Sequence, residues 1–444
     1  MKNCFFACLI ACVSFISCKS DKQNIVVFHK DETHSGDYPS KNYPGFGNTK
    51  WKFQTGGKIF SSPAVTDGAA YIGSEDKNLY AVDIKDGTLK WKFLTGGAVH
   101  SSPAVYNNTV FFGSFDGFYY AVDEVTGALK WKFKTNGEKL SGRKGLWTMK
   151  PADEFMEDPF DFFLSSPVVD NNSVYFGSSD GNIYALNATT GNLEWQFKTN
   201  GIVHTSPAVH NNTVYIGSWD TYLYALDEAT GKEKWKFKTG IDTAYHLLEG
   251  IQASPLVYNN MVYFGARDGY FYALNAETGA ITWKYSANNS WVLTTAAAKD
   301  GVVYTGTSDT YLLLAFNAQT GKEIFHAKAN GYVYSSPAIA GNTAYFGDFT
   351  GQFLAVDITN GNITDKFFTE GRKKYAGETL KDNMLDFSHL VTGADLSLYS
   401  STVAGMNKLY MLGPIVSSPA VLDGVVYFGS ADGYLYALNL LEKK

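Results

Sequence analysis

Trp91-Lys92-Phe93-Leu94-Thr95-Gly96 is the stretch that decides the fold. It returns as Trp131-Lys132-Phe133-Lys134-Thr135, as Trp195-Gln196-Phe197-Lys198-Thr199 and as Trp235-Lys236-Phe237-Lys238-Thr239-Gly240. Each copy leads into Ser-Ser-Pro-Ala-Val or a near variant, then Val-Tyr-Phe-Gly-Ser-x-Asp-Gly, then Leu-Tyr-Ala-Leu-Asp-x-x-Thr-Gly, before the next Trp. Self-similarity at a period of about forty residues marks a stack of identical supersecondary units, not a string of unrelated domains.

Each unit holds four short runs of β-branched and aromatic residues. Asn107-Asn108, Asn211-Asn212, Asp300-Gly301 and Asp423-Gly424 join the first two runs, and such two-residue loops suit type I′ hairpins. The Ser-x-Asp-Gly turn joins the second to the third, and a Thr-Gly turn joins the third to the fourth. Four antiparallel strands per period, with no helical spacing, make a propeller blade. The closing strands are centred on Trp51, Trp91, Trp131, Trp195, Trp235, Trp283, Phe325 and Asp365, each with a Gly four residues earlier. Opening segments recur at Ser62, Ser102, Ser166, Ser206, Ser254, Thr295, Ser336 and Ser418. The last unit stops after its third strand, and the strand it lacks stands at the other end, around Trp51. Pairing the two ends removes every free edge. The expected fold is therefore all-β: an eight-bladed β-propeller of four-stranded antiparallel blades, its ring closed by an N-terminal strand.

Ala121, Asp123, Thr126, Gly127 and Trp131, with Ala225, Asp227, Thr230, Gly231 and Trp235, spell A-x-D-x-x-T-G-x-x-x-W. In this the units resemble the PQQ-like (quinoprotein-type) propeller repeat. The resemblance implies that Trp51, Trp91, Trp131, Trp195, Trp235 and Trp283 dock between neighbouring blades as structural residues. Phe325 keeps the apolar part of that contact and Asp365 does not, so the junction of the seventh and eighth blades is expected to be the weakest packed.

All four cysteines, Cys4, Cys8, Cys12 and Cys18, lie at the N-terminus. The body of the chain therefore has no disulfide framework and no cysteine zinc site. Met1-Lys2-Asn3 followed by the apolar run Cys4–Ile16 has the form of a signal peptide. Phe15-Ile16-Ser17-Cys18 resembles a bacterial lipobox, which implies cleavage before Cys18 and lipidation of its thiol. The expected organisation is a lipoprotein signal peptide over residues 1–17, a lipid-anchored tether over 18–46 and the propeller over 47–444. A formal net charge of −6 without a basic stripe makes nucleic acid an unsuitable partner.

Three connections are longer than the rest, and all fall between a closing strand and the next Ser-Ser-Pro segment: Asn136–Phe163, Gly240–Ile251 and Glu370–Ile415. Sharing one type of connection, they must emerge on one face, around the channel mouth, where long non-repeating loops carry binding. The same face should display residues that depart from the repeat. Those before the Ser-Ser-Pro segments include His100, His204, Gln252 and Tyr334, and those in the Ser-x-Asp turns include Phe115, Trp219, Arg267 and Phe349. With Trp147 of the first insertion, these are the candidate ligand- or partner-binding residues. Glu378–Leu390 has apolar residues near helical spacing and predicts a short helix packed over the rim.

No catalytic triad, phosphate-cradling glycine loop or metal cluster is evident, so no catalytic residue, metal or cofactor is assigned. The anchor and the propeller together resemble the outer-membrane β-barrel assembly lipoproteins. The resemblance implies a monomeric, non-catalytic binding scaffold of the bacterial cell envelope, held at the outer membrane through Cys18, with a protein partner at the rim loops. Two alternatives stand beside it: a dehydrogenase using PQQ with calcium, and an envelope protein binding a glycan or small molecule at an aromatic mouth.

Overall fold

The computed structural model describes residues 25–146, 152–241, 248–386, 390 and 398–442. Eight four-stranded antiparallel sheets stand in a ring. Blade 1 runs over Ala64–Leu94, blade 2 over Ala104–Lys134, blade 3 over Val168–Lys198, blade 4 over Ala208–Lys238 and blade 5 over Leu256–Ser286. Blade 6 is Ala297–Lys328, blade 7 is Ala338–Phe368, and blade 8 combines Ala420–Leu441 with Gly45–Gln54. The strand Gly45–Gln54 pairs antiparallel with Tyr434–Leu441, Trp51 facing Ala437 and Phe53 facing Leu435. The N-terminal strand therefore closes the ring. In blades 2 to 6 and 8 the two-residue hairpins have positive φ at both central residues, as at Asn107 (49°) and Asn108 (55°), a geometry that asparagine tolerates.

The repeat residues earn their positions by contact with the next blade. The Trp195 indole donates to the Glu228 carbonyl at 2.8 Å, and the other five docking tryptophans make the same bond one blade on. Gly231, at φ +68°, lies under the Trp195 ring, where a Cβ would come within 2.6 Å of Cε3. That is why each Thr-Gly turn carries glycine. The second serine of each opening segment links the inner strands. Ser62 N–H donates to Ser102 Oγ, Ser102 N–H to Ser166 Oγ, and so on until Ser418 N–H returns to Ser62 Oγ. Among the described residues, the chain of bonds has one gap, between Ser254 and Thr295.

The junction of blades 7 and 8 is filled differently from the expectation. Asp365 accepts the Phe46 N–H at 2.8 Å, and the Phe46 ring packs on Tyr345 (5.9 Å) and Phe353 (5.4 Å). An aromatic from the N-terminal strand thus replaces the missing tryptophan, and the expectation of a poorly packed junction is corrected.

Residues 25–38, part of the expected tether, are instead laid into the channel from the face opposite the insertions. The carbonyls of Glu32, Thr33, Ser35 and Gly36 accept the N–H of Val209, Val257, Ala298 and Ile339 in blades 4 to 7, one per blade. Val26 exchanges both backbone bonds with Val105 of blade 2. His29 and His34 are buried, their rings bonded to the carbonyls of Pro337 and Pro255 at 3.0 and 2.8 Å. A polar sequence fits here because the hub of the ring is lined by backbone groups that need partners.

No helix among the described residues is long and apolar enough to cross a membrane. The described residues of the third insertion include the helices α1 (Glu370–Thr379) and α2 (Leu398–Tyr410). Of the helix expected over Glu378–Leu390, the described residues 380–386 are not helical. Lys381 and Met384 form a bridge there instead, although Leu380, Leu385 and Leu390 do pack down onto the rim.

Candidate functional site

All three insertions sit on one face, as their shared connection required. Leu146, Met156, Phe160 and Phe162 of the first and Leu380, Leu385, Met406, Leu409 and Leu412 of the third form one apolar cluster with ring residues Phe60, Trp291, Tyr334 and Phe349. Leu248 of the second packs against it. This cluster covers the channel mouth, and Asp158-Pro159-Phe160-Asp161-Phe162 of the first insertion contacts the ring residues there.

That segment meets most of the candidate residues. The Arg267 guanidinium is fully buried between the rings of Trp219 and Trp291, 4.5 and 4.3 Å from their centroids. Its Nη1 lies 2.5 Å from Asp158 Oδ2, and both side chains have 0% exposure. Its Nε and Nη2 donate to Gln252 Oε1 at 3.0 and 2.7 Å, while Gln252 Nε2 donates to the Phe160 carbonyl at 2.8 Å. His204 is held by Asp161 on Nδ1 (3.0 Å) and by Ser179 Oγ on Nε2 (2.7 Å). His100 Nδ1 bonds the Phe162 carbonyl at 2.7 Å, and its ring sits edge-on to Phe115 at 5.0 Å. Tyr334 and Phe349 pack against each other at 4.8 Å and against Phe162 at 6.1 and 5.7 Å.

The electrostatics follow from burial. Desolvation raises the Asp158 carboxyl above its usual range and outweighs the opposing pull of Arg267. Burial works against protonation of His204, but the Asp161 charge prevails and the pKa is raised. His100 lacks such a close carboxylate and burial lowers it, with Glu75 3.9 Å away pulling the other way.

His100, His204, Gln252, Tyr334, Trp219, Arg267, Phe115 and Phe349 are thus brought to one end of the channel, as their repeat positions required. They do not face an open cavity. All but Phe115 are buried, and what most of them hold in this structure is the chain's own loop. Trp147 and Cys18 lie outside the described residues. Sequence reasoning missed Trp291 and gave no role to Asp158 or Asp161, which lie against the ring's Arg267 and His204. The available signal was that two acids of one insertion matched two basic departures from the repeat.

The family model described as "Outer membrane protein assembly factor BamB" matches residues 44–146, 141–250, 204–298 and 289–372. The chain belongs to the BamB family. Among solved structures, BamB from Moraxella catarrhalis is similar at 17% identity and a TM-score of 0.64, over 88% of this chain and 99% of that one. A europium-containing methanol dehydrogenase is similar at 14% identity and 0.66, covering 94% and 98%. The quinohemoprotein alcohol dehydrogenase from Comamonas testosteroni is similar at 14% and 0.68, covering 94% and 80%. At these identities, the likeness to a BamB and to two dehydrogenases is one of fold. No curated protein matches the chain.

Proposed function

We propose that this BamB-family chain is a non-catalytic binding scaffold of the bacterial cell envelope, anchored through a lipidated Cys18 and holding a protein partner on its insertion face. One observation carries this. Described residues of all three insertions pack into one cluster over the channel, yet each insertion leaves a large apolar side chain outside it: Phe155 (48% exposed), Ile241 (55%), and Leu398 (55%) with Met411 (42%). Apolar groups displayed beside a packed cluster are what a protein interface uses. Four of the nine other exposed large apolar residues among the described ones, Leu89, Leu129, Leu193 and Ile281, are single positions at the start of outer strands.

The dehydrogenase alternative needs a quinone and a hard cation. The residues at the mouth do not fit that pair as they are packed. Asp158 and Asp161 are already committed to Arg267 and His204, and a planar ring would have to displace Asp158–Phe162. The glycan or small-molecule alternative meets the same filled mouth. Two measurements test the proposal. Cys18→Ser should move the protein from the membrane to the soluble fraction, and unchanged membrane association would refute the anchor. Addition of PQQ with calcium should leave the spectrum unchanged and support no dye reduction with alcohols or sugars; turnover would refute the scaffold role.

A further inference from the structure

On the face opposite the insertions, residues 25–38 leave part of the hub uncovered among the described residues. In every blade the second inner-strand residue turns its N–H away from its own sheet and toward the channel. Blades 2, 4, 5, 6 and 7 give that N–H, from Val105, Val209, Val257, Ala298 and Ile339, to a carbonyl of residues 26–36. The equivalent residues of blades 1 and 8 are Val65 and Val421, by register with Ala70 and Val426. Neither has such a partner among the described residues. Both are slightly more open, at 8% and 7%, than Val209 (2%) or Ile339 (0%). Blade 3's Val169 also lacks the bond, but it does not line the cavity that Val65 and Val421 share.

That cavity is about 700 Å³. Its walls include Val65, Ala69, Tyr71, Val105, Val421 and Leu422, and the exposed turns Asp67-Gly68 and Asn107-Asn108 stand at its rim. Four charged groups border it. Lys90 lies 3.5 Å from Asp83, and Glu124 is engaged by the Tyr71 hydroxyl at 3.3 Å. Asp67 is exposed, and Lys30 has no ion pair among the described residues.

We infer that this cavity binds a short extended peptide of another protein, with small apolar side chains and a carboxylate directed to Lys30, its backbone carbonyls taking the N–H groups of Val65 and Val421. The molecule itself supplies the precedent, because an extended polypeptide satisfies the same group in five of the other blades. Backbone pairing supplies affinity in such strand addition, and the wall pockets select side chains. The site is independent of the insertion face.

The test uses the full chain with ¹⁵N-valine label and the probe N-acetyl-Val-Thr-Val with a free C-terminal carboxylate. In the free protein, the Val65 and Val421 amides should exchange at least about 10-fold faster than those of Val105, Val209 and Val257. Saturating peptide should slow both, and Thr66→Trp, which fills the cavity from its rim, should abolish binding without changing exchange at Val209. Equal protection of all five amides in the free chain would overturn the inference, as would peptide that leaves Val65 and Val421 unchanged. So would protection in the free chain that disappears when residues 19–24 are deleted, since the occupant would then be the chain's own leader.

Discussion

Removing Asp158 is the most informative single perturbation of the sealed mouth. Asp158→Ala leaves the Arg267 charge with no counter-ion in a site where both side chains have 0% exposure. Breaking one half of a buried pair costs about 3–5 kcal/mol, mostly the penalty of the stranded charge. Gln252 still accepts two hydrogen bonds from Arg267, and Trp219 and Trp291 still cover its faces, so the lower end, about 3 kcal/mol, is expected. The double variant Asp158→Leu with Arg267→Met removes both charges while keeping apolar volume, and it should recover most of that loss. Urea unfolding followed by tryptophan fluorescence reads both effects as shifts in global stability. A loss below about 1 kcal/mol in the single variant would refute the claim that this pair locks the loop into the mouth. So would a double variant no more stable than the single.

Three further outcomes follow from the packing and the buried histidines. Burial, with the nearby His29 adding to it, lowers His34 from 6.5 to about 4, so the folded state favours its neutral form. That contribution is complete above pH 6.5 and is lost as pH falls through about 4. Its size is about 3 kcal/mol, so a melting temperature that falls over this range should fall less in His34→Gln; identical slopes would count against the hub assignment. Phe46→Ala should cost about 2 kcal/mol by denaturant unfolding, less than Trp195→Ala, because the half-buried Phe46 ring covers the last junction. Gly231→Ala should destabilise by about 2 kcal/mol or more, because it joins a positive φ to a Cβ placed against the Trp195 ring.

The ring was legible in the sequence because everything that builds it repeats. A tryptophan that reaches the next blade must meet the same turn each time, so Trp195 and Gly231 appear at matched offsets and announce the contact. Convergence of His204, Gln252 and Arg267 was legible for the same reason, since equal repeat positions lie at equal heights. What they converge on was not. Asp158–Phe162 belongs to an insertion with no second copy, and nothing local separates a carboxylate aimed at Arg267 from one that faces water. The hub segment was hidden differently. His29 and His34 sit in a polar stretch that has the composition of a linker, and their partners are backbone carbonyls 308 and 221 residues away. The exchange of Phe46 for a tryptophan crosses the two ends of the chain, which no repeat alignment brings side by side.

Site-specific photo-crosslinking in the intact envelope decides most directly whether the insertion face is the working surface. A photoreactive residue placed at Phe155, Ile241, Leu398 or Met411 should give the same discrete adduct with one envelope protein, and the same residue at Leu129 or Leu193 on the outer wall should not. Adducts arising equally from wall and insertion positions, or none from the insertions, would contradict it.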